Sequence, residues 1–137
     1  MSGRFLFAPS ISVALACAAC DAGCANTVLG DVASPDGRRH AVVFERDCGA
    51  TTGFSTQVSV LPRGREARGG GNVFVADDDR GAAPSGPGGG PAVRVRWLDR
   101  RTLEVRYHPS ARVFKSEARH DDTDVRFVRD STVGSAT

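Results

Sequence analysis

Cys48 is the one cysteine far from the N-terminus, and it opens a small polar loop, Cys48-Gly49-Ala50-Thr51-Thr52-Gly53. Three kinds of chemistry are open to it. As a thiolate, Cys48 would need a lowered pKa, exposure and a base held in place, with Arg46 or His40 as the activating neighbour. As a half-cystine it would staple the end of a strand to Cys24, which contributes about 3 kcal/mol for a loop of that length. The loop itself could turn backbone N–H groups and the Thr51 and Thr52 hydroxyls toward an anion, its glycines permitting the tight bend. A plain β-turn whose hydroxyls satisfy their own backbone accounts for the same residues. Arg46, Asp47, Thr51, Thr52 and Ser55 are the side chains that would make a ligand loop beside Cys48.

Other chemistry is harder to find. Asp77-Asp78-Asp79 offers carboxylates but lacks the alternating ligands, central glycine and closing glutamate of a calcium loop. His40, His108 and His120 share no metal-ligand spacing. No G-K-[ST] follows the glycines of the Cys48 loop, and no G-x-S-x-G is present. The expectation is therefore no catalytic residue, no metal and no cofactor. Arg94, Arg96 and Arg106 would make a basic strip on one hairpin, read as a solvated face.

The N-terminus carries a second use of cysteine. Arg4 precedes an apolar run from Phe5 to Ala19, followed by A-L-A-C-A-A-C-D-A-G-C. A charged start, a short apolar centre and small residues at the exit describe an export signal over residues 1–19. The run falls short of the roughly 20 apolar residues that a spanning helix needs. Small residues followed by cysteine also describe a lipoprotein cleavage box, in which the cysteine becomes the acylated first residue. Cleavage before Cys20 leaves Cys24 and Cys48 as an even pair, whereas cleavage before Cys17 leaves three thiols. Cys20 is the preferred anchor and Cys17 the alternative. Ordinary secretion remains open, because Ala14-Leu15-Ala16 also fits a cleavage site and would leave four cysteines with three possible pairings.

Composition sets the frame for these residues. The chain of 137 residues has a net charge of +2, too small to point to nucleic acid. Gly 16 and Pro 7 suit a loop-rich β protein. Residues 20–129 would form the domain and 130–137 a frayed tail. Ser34-Pro35-Asp36-Gly37 is a turn, since proline presets φ at its first central position. Before it, residues 25–33 read as an edge strand. After it, residues 40–47 are apolar on both sets of alternate positions and read as a central strand. Residues 54–61 alternate more cleanly, as a strand with one buried and one wetter face. Residues 63–71 form a basic, Gly-rich loop, 73–75 a short strand, and 77–91 a long Gly/Pro loop. Val93, Val95 and Trp97 can share a face with Leu103, Val105 and Tyr107 only if an odd loop joins them, most simply Asp99-Arg100-Arg101. Arg96 then faces Glu104, and Arg94 faces Arg106 unfavourably unless a carboxylate or anion lies between. Residues 112–118 and 123–129 would close the domain as a last hairpin. The expectation is an all-β protein, a single antiparallel sheet or small β-sandwich of seven or eight short strands.

The run S-P-D-G-R…A-V-V-F-E-R-D-C-G-A-T-T-G-F-S-T-Q-V-S-V-L, then G-N-V-F-V-A-D, G-A-A-P-S-G-P-G-G-G-P, V-R-V-R-W-L and A-R-V-F-K, resembles a family of uncharacterised small bacterial secreted proteins and lipoproteins. The resemblance covers nearly all of the chain beyond the signal and implies a cell-envelope setting. It implies no activity. The S-P-D-G and W-L-D turns are also similar to those of β-propeller blades, but the chain has room for about two blades and no repeat of fixed period.

Together these residues point to a non-enzymatic envelope domain, held to a membrane through a lipid anchor, that binds a protein or small ligand. An envelope enzyme using polar groups near Cys48 and a purely structural accessory domain are the alternatives.

Overall fold

The computed structural model describes residues 23–49 and 53–135. Nine strands follow one another: β1 (Ala25–Ala33), β2 (Arg39–Asp47), β3 (Ser55–Pro62), β4 (Phe74–Asp77), β5 (Val93–Asp99), β6 (Thr102–Tyr107), β7 (Arg112–Ser116), β8 (Arg119–His120) and β9 (Thr123–Arg129). They make two sheets, one of five strands in the order β1-β2-β3-β4-β7 and one of four in the order β5-β6-β9-β8. Every pair is antiparallel except β6 and β9. The fold is all-β, a sandwich, with one more strand than the upper expectation.

Alternation decides which residues meet. Ala41, Val43, Val58, Val60, Phe74 and Ala76 of the first sheet pack against Leu103, Val105, Tyr107 and Val125 of the second. The Phe74 ring lies 5.2 Å from Tyr107 and 5.8 Å from Phe127, so one aromatic bridges both sheets at the centre of the core. At one side β1 and β5 are both edge strands. There the Trp97 indole N–H donates to the Val32 carbonyl at 2.9 Å and ties the two edges together.

The hairpin of β5 and β6 has the expected register: Val95 opposite Val105, Trp97 opposite Leu103, Arg96 opposite Glu104, Arg94 opposite Arg106. The odd residue is absorbed as a bulge at Leu98, which brings Asp99 opposite Thr102.

Three expectations are corrected. The last hairpin does not form. β7 joins the first sheet beside β4, and β9 enters the second sheet parallel to β6. A hairpin would have left β6 as an edge, yet five of its six residues are buried. β3 has no wetter face. Gln57 and Ser59 are buried because the segment after β3 crosses the outer side of the first sheet. Asn26 Nδ2 donates to the carbonyls of Ala67 and Gly69, Gly71 N–H to Gln57 Oε1, and Asn72 N–H to Ser59 Oγ. That cover also explains why Val42 and Phe44, on the side of β2 away from the core, are buried. The tail from Asp130 to Ser135 is docked rather than frayed: Asp130 N–H donates to the Tyr107 carbonyl at 2.9 Å and Val133 is fully buried. The long Gly/Pro loop is a loop as expected, and it is packed against β3. Thr56 Oγ1 donates to the Pro91 carbonyl at 2.6 Å, and Gly90 lies so close to Thr56 that a Cβ there would meet Oγ1 at 2.7 Å.

Candidate functional site

The sandwich has two ends. At one, β2 gives way to β3, and the Gly/Pro loop and the docked tail close the core. Cys24 and Cys48 are bonded here, S–S 2.11 Å, one residue beyond the opposed pair Ala25 and Asp47. The bridge therefore extends the β1–β2 ladder by one covalent rung. A thiolate role for Cys48 has no thiol to draw on while it stands.

Of the side chains expected around a ligand loop, Arg46, Asp47 and Ser55 bond to neighbouring strands and turns. Arg46 is buried and donates from Nη1 to Asn26 Oδ1 at 2.8 Å, on the strand opposite. Asp47 Oδ1 accepts the Gly49 N–H at 2.9 Å, an Asx-type turn out of β2. Ser55 Oγ donates to the Arg46 carbonyl at 3.3 Å and accepts from Gln57 Nε2 at 2.8 Å. Thr51 and Thr52 lie outside the described residues, as do Cys17 and Cys20. The structure thus brings Arg46, Asp47, Ser55, Cys24 and Cys48 to one end of the fold.

The three aspartates after β4 also have local tasks. Arg112 donates to both oxygens of Asp77, and the Asp79 N–H adds a third bond at 2.9 Å. Burial pushes the Asp77 carboxyl up, but these hydrogen bonds outweigh it and hold the group below its ordinary value. No cluster of three metal-ligating side chains occurs among the described residues.

Two of the three arginines of the strip on β5 and β6, Arg96 and Arg106, meet carboxylates. Glu104 accepts from Arg106 Nε at 2.6 Å and Arg96 Nη2 at 3.3 Å, while Arg106 Nη1 reaches Asp130 at 3.1 Å. This is how the opposed pair Arg94 and Arg106 is tolerated. The Arg106 bond holds the Glu104 carboxyl low despite burial. Asp130 is held down to about 2, first by the Thr132 hydroxyl and N–H and then by Arg106.

The other end of the sandwich carries a feature that sequence reasoning missed. Four separate segments meet around a hollow of about 280 Å³ lined by Asp36, Arg38, Arg39, Pro62, Arg100, Arg101 and Asp122. They are the β1–β2 turn with the start of β2, the end of β3, the β5–β6 turn and the β8–β9 turn. Arg39 is pinned against Asp121 and Asp122. Asp36 faces its own turn, accepting from Ser34 Oγ at 2.7 Å and the Arg38 N–H at 3.1 Å, and these bonds lower its pKa. The only sequence signal was the paired arginines 38–39 and 100–101, each at a hairpin turn. Nothing in the sequence says that those two turns share an end. No protein-family model matches the chain, and neither a curated protein nor a solved structure matches it.

Proposed function

We propose that this chain is an exported cell-envelope protein, acylated at Cys20 (or Cys17), whose β-sandwich binds a ligand or partner without chemistry of its own. The observation that carries the reading is the Cys24–Cys48 bridge. Disulfides of this structural kind persist in oxidising compartments and are rare where thiols are kept reduced. It supports export, in agreement with the charged, then apolar, then small-residue order of the N-terminus. The bridge also supports assigning acylation to a cysteine upstream, because it accounts for Cys24 and Cys48 together.

Four residue steps separate Cys20 from Cys24, a reach of at most about 14 Å. An anchor at Cys20 therefore keeps the bridged end of the sandwich next to the membrane. The opposite end, about 30 Å away along the nine-residue strands of the β1–β2 hairpin, faces outward.

Two measurements test this. The intact mass of the protein from the membrane fraction should show a chain starting at Cys20 and carrying acyl groups. An unmodified soluble product would defeat the anchor, and a chain starting at Cys17 would move it. Alkylation of the native protein should label neither Cys24 nor Cys48 before reduction and both after it. Labelling of Cys48 without reductant would reopen a thiolate role.

A further inference from the structure

We propose that the arginine-lined hollow at the end of the sandwich away from the bridge is a binding site for a phosphate-class anion. The proposal deepens the reading of the domain as a binding module and does not depend on the lipid anchor.

The lining holds four arginines against two aspartates. Asp122 pairs with Arg39, while Asp36 accepts from Ser34 Oγ and the Arg38 N–H, both neutral donors, and keeps its charge beside Arg38. Arg39, its side chain 22% exposed, is thereby a fixed wall rather than a free cation. Arg38, Arg100 and Arg101 form no salt bridge among the described residues, in contrast to Arg96, Arg106, Arg112 and Arg119. Arg100 and Arg101, without an ion pair, thus line one concavity together with Arg38, and the lining as a whole carries an excess of positive charge.

Their backbones are fixed by the turns that carry them. Arg38 N–H donates to Asp36, its carbonyl accepts from Arg63 N–H at 2.9 Å, and Arg101 N–H donates to Asp99 Oδ1 at 2.7 Å. The Arg101 carbonyl accepts from Asp124 N–H at 2.7 Å, which ties the β5–β6 turn to β9. The turns thus fix where each arginine leaves the backbone, and positive groups gathered around a concavity raise the local concentration of anions.

Phosphate suits this arrangement better than a carboxylate. A carboxylate offers two acceptor oxygens on one side, whereas a phosphate or pyrophosphate presents more oxygens in several directions and so suits arginines that come from separate turns. The volume of the hollow is near the lower bound of ordinary small-molecule sites, which fits a compact anion. The anion has two possible sources, a soluble phosphate compound or the headgroup of a phospholipid in a facing bilayer.

The test uses the full-length protein in non-ionic detergent, with the bridge intact and binding read by titration calorimetry at low ionic strength. Pyrophosphate should bind saturably at one site. Arg100→Gln with Arg101→Gln should weaken it by about tenfold or more, the loss expected for charge-assisted bonds. Arg38→Gln should also weaken it, while Arg94→Gln with Arg96→Gln, on the other hairpin face, should not. Circular dichroism confirms that each variant is folded. Titration with glycerophosphoglycerol, the water-soluble headgroup of phosphatidylglycerol, distinguishes the sources without involving the acyl anchor. Headgroup binding that needs Arg100 and Arg101 assigns a phospholipid, and pyrophosphate binding alone assigns a soluble ligand. Absence of saturable binding in both assays overturns the proposal. So does binding that survives the Arg38, Arg100 and Arg101 changes, or that the Arg94 and Arg96 changes weaken equally. None of these outcomes bears on the mass of the N-terminal peptide, so the anchor and the site fail separately.

Discussion

Gly71 sits where three chain segments converge, and its missing side chain is what lets them do so. A Cβ at this position would lie 2.6 Å from the Phe74 carbonyl and 2.9 Å from that of Val58. Both are backbone atoms and cannot swing aside. Gly71→Ala should therefore cost about 1–3 kcal/mol, read from denaturant melts, as overpacking in a filled interior does. Gly53→Ala is the control, since a Cβ there meets nothing within 4 Å and stability should stay within about 0.5 kcal/mol. The same scale explains which residues were legible beforehand. The Cys24–Cys48 bridge followed from counting thiols. Arg46, Asp47 and Ser55 were rightly placed near Cys48, yet their roles depend on Asn26, Gly49 and Gln57, partners that no spacing rule names.

Among the elements, the register of the β5–β6 hairpin was legible because parity leaves no freedom, although the odd residue lies in a bulge at Leu98 and not in the expected loop Asp99-Arg100-Arg101. One step of slippage would turn Val95, Trp97, Leu103 and Val105 outward. β7 and β9 were not legible. Each is a short alternating strand, and their closeness in sequence suggested a hairpin. The deciding fact is the need of β6 for a neighbour on its second edge, a property of a different strand altogether. Leu103 on β6 is fully buried, whereas Phe114 on β7 is 61% exposed. Leu103→Ala should cost about 2–5 kcal/mol. Phe114→Ala should cost under about 1 kcal/mol, the Arg112 guanidinium 5.1 Å above its ring being a surface contact. Similar losses in the two variants would contradict the assignment of β6 as central and β7 as edge.

For the molecule as a whole, acid is the informative stress. Asp36, Asp77, Asp99, Glu104 and Asp130 all sit below their ordinary values, each through hydrogen bonds to the ionised form. Their unfolded-state values lie near 4, so the unfolded chain takes up protons first as pH falls. The stabilisation they supply is complete above about pH 4 and is lost progressively below it, down to about 2 for Asp130. Thermal melts should show a flat Tm down to that upper bound and a steep fall beneath it. Asp130→Asn should lessen the steepness, and an unchanged acid limb would show that the docked tail does not contribute. The all-β class was legible in the sequence, with a single sheet and a sandwich both left open, but the covered outer side of the first sheet was not, because loops such as 63–71 carry no periodicity to reveal the face they cross. The parallel pair of β6 and β9 has a last consequence, which concerns time. β9 follows every other strand in the chain, yet it fills an inner place in its sheet. A chain made only as far as Asp122 lacks the strand that β6 needs, so the second sheet is completed only once residues 123–129 are present.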